Sequence, residues 1–193
     1  MSEQPVAEEI SIDLALTRVL TQLSAYLPTE LAVVSLVGLP LPAPDPSAYF
    51  YGIGERAIDV LFANSSVAVL VFQDAPSTIE MEASNTPALY VMEQNASISV
   101  VVAFKMTQYT PFVRFGKTVT DSDIMAMRAA RYNAAVSRVM RTRIMGDAGI
   151  INVNKTNDAF GDYDTESDVV ASNAFSTWEI TQAVLVPVGC EEV

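Results

Sequence analysis

Carboxylate and guanidinium groups are the side chains of this sequence that could do chemistry. The 193 residues contain no histidine and one cysteine, Cys190, so the commonest general base and metal ligand is missing and an intrachain disulfide cannot form. A nucleophile activated by a positioned histidine is therefore excluded. A hydrolase built on two carboxylates remains an alternative, because such a pair is set in space and not by sequence spacing. We expect no catalytic residues and no cofactor.

Five carboxylates lie close together towards the end of the chain. They are Asp158, Asp162, Asp164, Glu166 and Asp168. Alternating acidic residues can direct oxygens towards calcium, but this spacing lacks the glycine at position six and the final glutamate of an EF-hand loop. We interpret residues 154–174 as an acidic loop that faces solvent or a partner, and we predict no metal site.

Five arginines lie between residues 118 and 144, although the net charge of the chain is −12. At about 100° per residue, four of them form a stripe along a helix. These are Arg128, Arg131, Arg138 and Arg141. The stripe is either a solvated face paired with acidic residues of the same subunit, or a set of guanidinium groups that pair with carboxylates across an interface. Binding to DNA phosphate is a weaker alternative, because the overall field repels anions.

Positive charge concentrated on an acidic chain favours self-assembly, since such a surface is complementary to copies of itself. We predict that the four arginines face carboxylates of a neighbouring subunit or of the next ring in a stack. Asp162, Asp164 and Glu166 complete the predicted interface. Reversing Arg131 and Arg138 to glutamate is expected to disrupt assembly and to leave the subunit folded.

Two main helices are predicted. Apolar residues recur every three or four positions in a first helix of roughly residues 6–27, with Pro28 as its natural stop. Thr120 and Asp123 fit a capping box that begins the second helix, and Gly146 ends it. The face of the second helix predicted to dock on a sheet contains Met125, Ala129, Tyr132, Val136, Val139 and Met140.

The strands are predicted from apolar runs and alternation. Residues 67–72 form a continuous apolar run typical of a strand covered on both faces, and residues 78–84 alternate as a half-buried strand. Residues 88–106 contain two apolar runs joined by Glu93-Gln94-Asn95, which predicts a long hairpin. Strands are also predicted at 149–153 and 177–188.

Proline is found at every second position of LPLPAPDPS, residues 39–47, which predicts an extended surface connector. A short helix that includes Ile58, Leu61 and Phe62 is predicted to follow it. The sequence lacks an uninterrupted apolar run of membrane-spanning length, and its acidic N-terminus does not resemble a secretory signal. We therefore expect a single domain over residues 1–193, made in the cytosol. Its fold class is α+β, with a mixed or antiparallel sheet that contains a long hairpin and is flanked by two main helices.

The order of these elements resembles that of the tail terminator proteins of long-tailed bacteriophages and, more loosely, their neighbouring head-to-tail joining proteins. The segments that carry the resemblance are ISIDLALTRVLTQLSAYL, ALYVMEQNASISVVVAF, DSDIMAMRAARYNAAVSRVM and STWEITQAVLVPV. It implies a small α+β subunit that forms a ring, usually of six copies, which caps the tail tube and joins it to the head without catalysis. The proline connector and extra helix between residues 29 and 65 depart from the compact family pattern.

The resemblance also implies where the protein acts. Its partners would be copies of itself, the tail tube and neck or connector proteins, and it would lie in the virion after assembly in the host cytoplasm. DNA would be contacted passively in the lumen of the ring, without sequence specificity. Another ring of the neck, such as a head-completion connector, remains an alternative, as does an acidic cytosolic adaptor that binds a basic partner.

Overall fold

The computed structural model describes residues 7–35, 41–51, 61–82, 89–105, 113–114, 117–163 and 171–187. The helices are α1 (Ala7–Val34) and α2 (Asp121–Val139), and a π-helical turn (Met140–Ile144) continues α2. The strands are β1 (Tyr49–Tyr51), β2 (Val67–Glu82), β3 (Leu89–Lys105), β4 (Val113–Arg114), β5 (Lys117–Thr118), β6 (Ile150–Tyr163) and β7 (Ala171–Pro187).

Five of these strands form one sheet in the order β1-β2-β3-β7-β6, and β4 pairs with β5 in a separate two-stranded sheet. The strand β1 runs parallel to β2, and the other pairs in the large sheet are antiparallel. Buried residues of both helices share one apolar core with alternate residues of β2, β3 and β7. The predicted α+β class with a mixed sheet and two main helices is therefore confirmed.

The first helix is longer than predicted. Its most deeply buried described positions recur every fourth residue, and they are Ala15, Val19, Leu23, Leu27 and Leu31. The prediction that Pro28 ends the helix is wrong, because α1 continues through it to Val34. Proline removes one backbone donor from the helix, but Leu27 and Leu31 on either side of it are fully buried in the core. Burial of the next turn thus outweighs the lost hydrogen bond.

The strand β3 does not turn at Glu93-Gln94-Asn95, so the prediction of a hairpin within residues 88–106 is wrong. Gln94 is buried, and its Oε1 accepts a 2.8 Å hydrogen bond from Gln182 Nε2. Asn95 Oδ1 accepts a 2.6 Å hydrogen bond from Thr181 Oγ1. The polar residues are bonded across strands and not exposed in a turn. The long hairpin consists instead of the consecutive antiparallel strands β2 and β3.

The strands predicted at 67–72 and 78–84 are parts of one strand, β2. Its pairing register with β3 shifts between Gln73 and Ala75 and again between Ala75 and Thr78. Pro76 lies within the second irregularity, where a missing backbone donor is tolerated. A strand with bulges therefore replaces the predicted break.

Most of the predicted acidic loop is also strand. Residues 154–163 continue β6, and residues 171–174 begin β7, whereas 164–170 lie outside the described residues. Side chains from Thr156 to Phe160 are all exposed, so the sequence carries no apolar alternation that would mark a strand. Backbone pairing with β7 holds this segment in place.

The proline connector is only partly a surface feature. Leu41 is buried in the main core, and the carbonyl oxygen of Pro42 accepts a 3.0 Å hydrogen bond from the Tyr132 hydroxyl. Residues 39 and 40 lie outside the described residues. The connector is thus held to α2 by the Pro42 carbonyl and to the main core by Leu41.

The other face of the sheet carries a smaller apolar cluster. Its buried members are Ala48, Leu61, Phe62, Ala68, Ala103 and Ala171. Leu61 and Phe62 were predicted to belong to a short helix, but most of that helix lies in residues 52–60, outside the described residues. The small side chains of this cluster fit a thin layer over the sheet.

Candidate subunit interface

The second helix begins where the sequence predicts. Thr120 Oγ1 accepts a 3.3 Å hydrogen bond from the Asp123 backbone nitrogen, and Asp123 Oδ2 accepts one of 3.0 Å from the Thr120 backbone nitrogen. The Thr120 hydroxyl also donates to Asp123 Oδ2 at 2.6 Å. The side-chain and backbone hydrogen bonds from Thr120 lower the pKa of the Asp123 carboxyl. The predicted capping box is therefore confirmed.

The docking face of α2 is also confirmed in outline. Ala129, Tyr132, Val136 and Val139 are fully buried, whereas Met125 is only partly buried. The Tyr132 ring lies with its centroid 5.0 Å from that of Phe104 on β3. Burial raises the pKa of the Tyr132 hydroxyl well above its usual range. This face fixes how α2 is rotated, and hence where its arginines point.

Arg128 does not belong to an exposed stripe, so that part of the prediction is wrong. Only 4 % of the surface of Arg128 is exposed to solvent. At about 100° per residue it lies roughly 20° from Val139 and 40° from Tyr132 around the helix, which places it at the margin of the docking face. Burial lowers the pKa of its guanidinium, while the nearby Tyr132 acts in the opposite sense.

Two further arginines are engaged within the same chain. Arg131 Nη1 donates to the carbonyl oxygen of Val34 at the end of α1. Arg138 forms a salt bridge from Nε to Glu30 Oε2, and the Glu30 side chain is largely buried. These contacts tie α2 to α1. They agree with the alternative in which arginines of the stripe are bonded within their own subunit.

Arg141 and Arg143 are exposed on the π-helical turn. The Arg143 guanidinium stacks 4.3 Å from the centroid of the Tyr26 ring, and Met145 beside it is also exposed. A stacked guanidinium is held in place but keeps its charge available to a partner. The sequence reasoning included Arg143 among the five arginines but not in the predicted interface. The sequence does not identify Tyr26 as the partner of Arg143, because the two residues meet only in the folded chain.

The acidic side of the predicted interface is described only at its beginning. The backbone of Asp162 pairs with Ser172 in the sheet, while Asp164 and Glu166 lie outside the described residues. Of the five carboxylates, Asp158 and Asp162 thus belong to β6, and Asp164, Glu166 and Asp168 lie outside the described residues. In the part of the chain that the structure describes, no group of three acidic or cysteine residues could hold a metal ion.

A polar cluster that the sequence did not reveal joins α2 to β6. The Lys155 ammonium lies 2.7 Å from Asp158 Oδ2, 3.2 Å from Ser137 Oγ and 5.6 Å from the Trp178 ring centroid. Asn133 Nδ2 donates to Asp158 Oδ1 from the helix side. The helix residues are separated from their strand partners by 18 residues (Ser137 to Lys155) and 25 residues (Asn133 to Asp158), so only the fold brings the two groups together. Their mutual pairing gives the cluster a structural role.

Comparisons with known proteins give limited similarity. No protein-family model matches the chain, and no curated protein matches it. Among solved structures, the chain is similar to one from the virion of a native gene transfer agent particle, with 12 % sequence identity and a TM-score of 0.33. The match covers 86 % of this chain and 98 % of that one. Neither described helix combines the length and apolar character of a membrane span.

Proposed function

We propose that this chain is a structural subunit of a phage-like virion that assembles into a ring, and that the ring is the tail terminator between tail tube and neck. The carrying observation is that charge differs between the two lateral sides of the subunit. The segments of α1, β1 and β2 hold one cation and seven carboxylates, whereas residues 119–163, around α2 and β6, hold six cations and five carboxylates.

The acidic segments and the arginine-bearing segments lie towards opposite lateral edges of the sheet. The helix α1 packs towards β1 and β2, and α2 packs towards β7 and β6. A contact between the α2 side of one copy and the α1 side of the next is therefore electrostatically favourable. Such a contact joins two different surfaces, and repeated contacts of this kind close into a ring when the rotation permits.

Arg141 and Arg143 supply the exposed positive charge in this proposal, together with the half-exposed Arg138. Asp162, Asp164 and Glu166 are proposed to contribute carboxylates to the contact with the next subunit or ring. Arg128 is instead buried within the subunit, and Arg131 bonds the end of α1. The layout shared with tail terminators supports six copies and partners in the tail tube and neck.

The test is a double charge reversal, Arg141→Glu with Arg143→Glu. Reversal of Arg131 and Arg138 is a poorer test than the sequence suggested, because Arg138→Glu would place a second carboxylate beside Glu30 and lower the stability of the fold. The reversed arginines at 141 and 143 would oppose the acidic side of the next copy, so we expect ring formation to be lost at moderate salt. Light scattering measures the mass.

The matched control is Arg141→Lys with Arg143→Lys, which keeps both charges and is expected to assemble with only a modest loss. Fluorescence of Trp178, the single tryptophan, which is fully buried, reports whether each variant is folded. A wild-type protein that stays monomeric at high concentration contradicts the proposed function. If the double-reversal variant still forms rings, Arg141 and Arg143 do not contribute to the subunit contact, but the proposal of a ring is not contradicted.

A further inference from the structure

The strand β6 is a long, open edge of the sheet. Of its 14 residues, 12 pair with β7 on one side, and within the described residues no strand pairs with the other side. The register with β7 shifts twice near the start of β6, but residues 157–163 pair without interruption. Unpaired backbone groups along such an edge are a template for a further strand.

Two of the usual means of protecting an edge strand are missing from residues 157–163, which do carry the charged residues Asp158 and Asp162. The segment contains no proline and no lysine. The nearest lysine is Lys155. Its ammonium group contacts Ser137 and the Trp178 ring, so it does not place a charge on the open side of the strand. Phe160, in the middle of the segment, is 63 % exposed. This aromatic ring is therefore available for contact with a partner strand.

The strand at the opposite edge of the same sheet also exposes an aromatic side chain. It is β1, whose three residues are Tyr49, Phe50 and Tyr51. Tyr51 is 55 % exposed. Six large apolar side chains are exposed in the described part of the chain, and three of them lie on the two edge strands: Tyr51, Ile151 and Phe160. Exposed apolar area is thus concentrated at both lateral ends of the sheet.

We infer that the β6 edge of one copy pairs with the β1 edge of the next copy, so that the sheets join head to tail. This inference rests on the self-assembly proposed above and assigns the strands that make the contact. Aromatic side chains placed across neighbouring strands attract each other. Phe160 and Tyr51 would be covered by the same contact.

Charge selects β1 over the other open edges. Residues 157–163 carry Asp158 and Asp162, so a contact between two β6 edges would bring four carboxylates together. In β2, residues Thr78–Glu82 pair only with β3 within the described residues, but they carry Glu80 and Glu82 and would also repel β6. The strand β1 has no charged residue. It also lies on the acidic side of the subunit, opposite the arginines of α2.

Lysine at either edge tests the contact. In the full chain, Phe160→Lys and Tyr51→Lys are each expected to raise the concentration needed for half-association by about tenfold or more, because a charge replaces an apolar group in the strand contact. The matched control is Val33→Lys, which places lysine at a similarly exposed apolar position on α1. It is expected to associate as the wild type does.

A paired variant distinguishes head-to-tail contact from other arrangements. In a chain carrying both Phe160→Lys and Tyr51→Glu, each contact would hold one lysine and one glutamate, and association is expected to return. Normal association of Tyr51→Lys, with loss in Phe160→Lys alone, would show a contact between two β6 edges and overturn the inference. Association of both lysine variants at wild-type concentration would also overturn it while the proposed ring stands. A monomeric wild type would contradict both.

Discussion

Asn133 holds the second helix against two strands at once. Its residue is buried, and its side-chain nitrogen donates to the carboxylate of Asp158 and to the carbonyl oxygens of Ala159 and Phe175, both at 3.2 Å. Because β6 buries few apolar side chains, this amide is a main link between the edge strand and the helical layer. Buried polar groups with several partners contribute strongly to such packing.

The Asn133→Ala variant is therefore expected to lose about 1–3 kcal/mol of unfolding free energy, since carbonyl acceptors would be left without their donor. Urea unfolding followed by Trp178 fluorescence measures this loss. Asn154→Ala, at an exposed position of β6, is the control and should change stability by less than about 0.5 kcal/mol. Equal effects of the two substitutions would contradict the role given to Asn133.

Asp123 gives a pH-dependent prediction. Hydrogen bonds from Thr120 lower its pKa in the folded state, so its contribution is present above the unfolded pKa of about 4 and is lost as pH falls through the folded value. Asp123→Asn should therefore be less stable than wild type at neutral pH, and the difference should shrink in acid. Thermal unfolding between pH 7 and pH 3 checks it. Asp74→Asn, at an exposed strand position outside any helix cap, is the control.

At the scale of elements, local signals were readable and distant pairings were not. The start of α2 follows from Thr120 and Asp123, which are three residues apart, and its buried face follows from helical spacing. Gln94 was read as part of a turn because its partner, Gln182, lies 88 residues away. The same limit applies to β6, whose strand character comes from pairing with β7 and not from its own pattern.

For the arginines of the candidate interface, the sequence likewise predicts a local feature but not its three-dimensional surroundings. The number and clustering of arginines are properties of the sequence, but whether each one is exposed depends on how α2 is rotated on the sheet. Arg128 lies just inside the buried face, and Arg138 meets Glu30 of α1, 108 residues away. Arg141, on the π-helical turn after α2, is exposed. Tertiary packing thus divides a stripe that looks uniform in sequence.

The turn between the π-helical turn and β6 gives a prediction for an element boundary. Gly149 has a positive φ of 85°, which is strained for any residue with a side chain. Gly149→Ala should lose about 1–2 kcal/mol, although its added methyl would meet neighbours only at ordinary contact distances. Gly146→Ala in the same turn lacks this strain and is the control. Equal stability of the two variants in urea would contradict the prediction that a side chain at position 149 is strained.

At the scale of the whole molecule, the two helices cover one face of the sheet while both lateral edges carry exposed aromatic residues. The acidic excess lies towards α1 and β2, and the arginines lie towards β6. A monomer would leave these complementary features facing solvent. Repeated head-to-tail contact would cover the edges and bring opposite charges together.

The mass of the purified wild-type protein tests this account most directly. Light scattering over a range of concentrations, with electron microscopy of the same samples, should show a closed ring whose mass is a whole multiple of the 20.8 kDa subunit, six being the number that tail terminators imply. The ring should weaken as salt screens the charged contacts. A mass of 20.8 kDa at every concentration, with and without tail tube protein, would contradict the account.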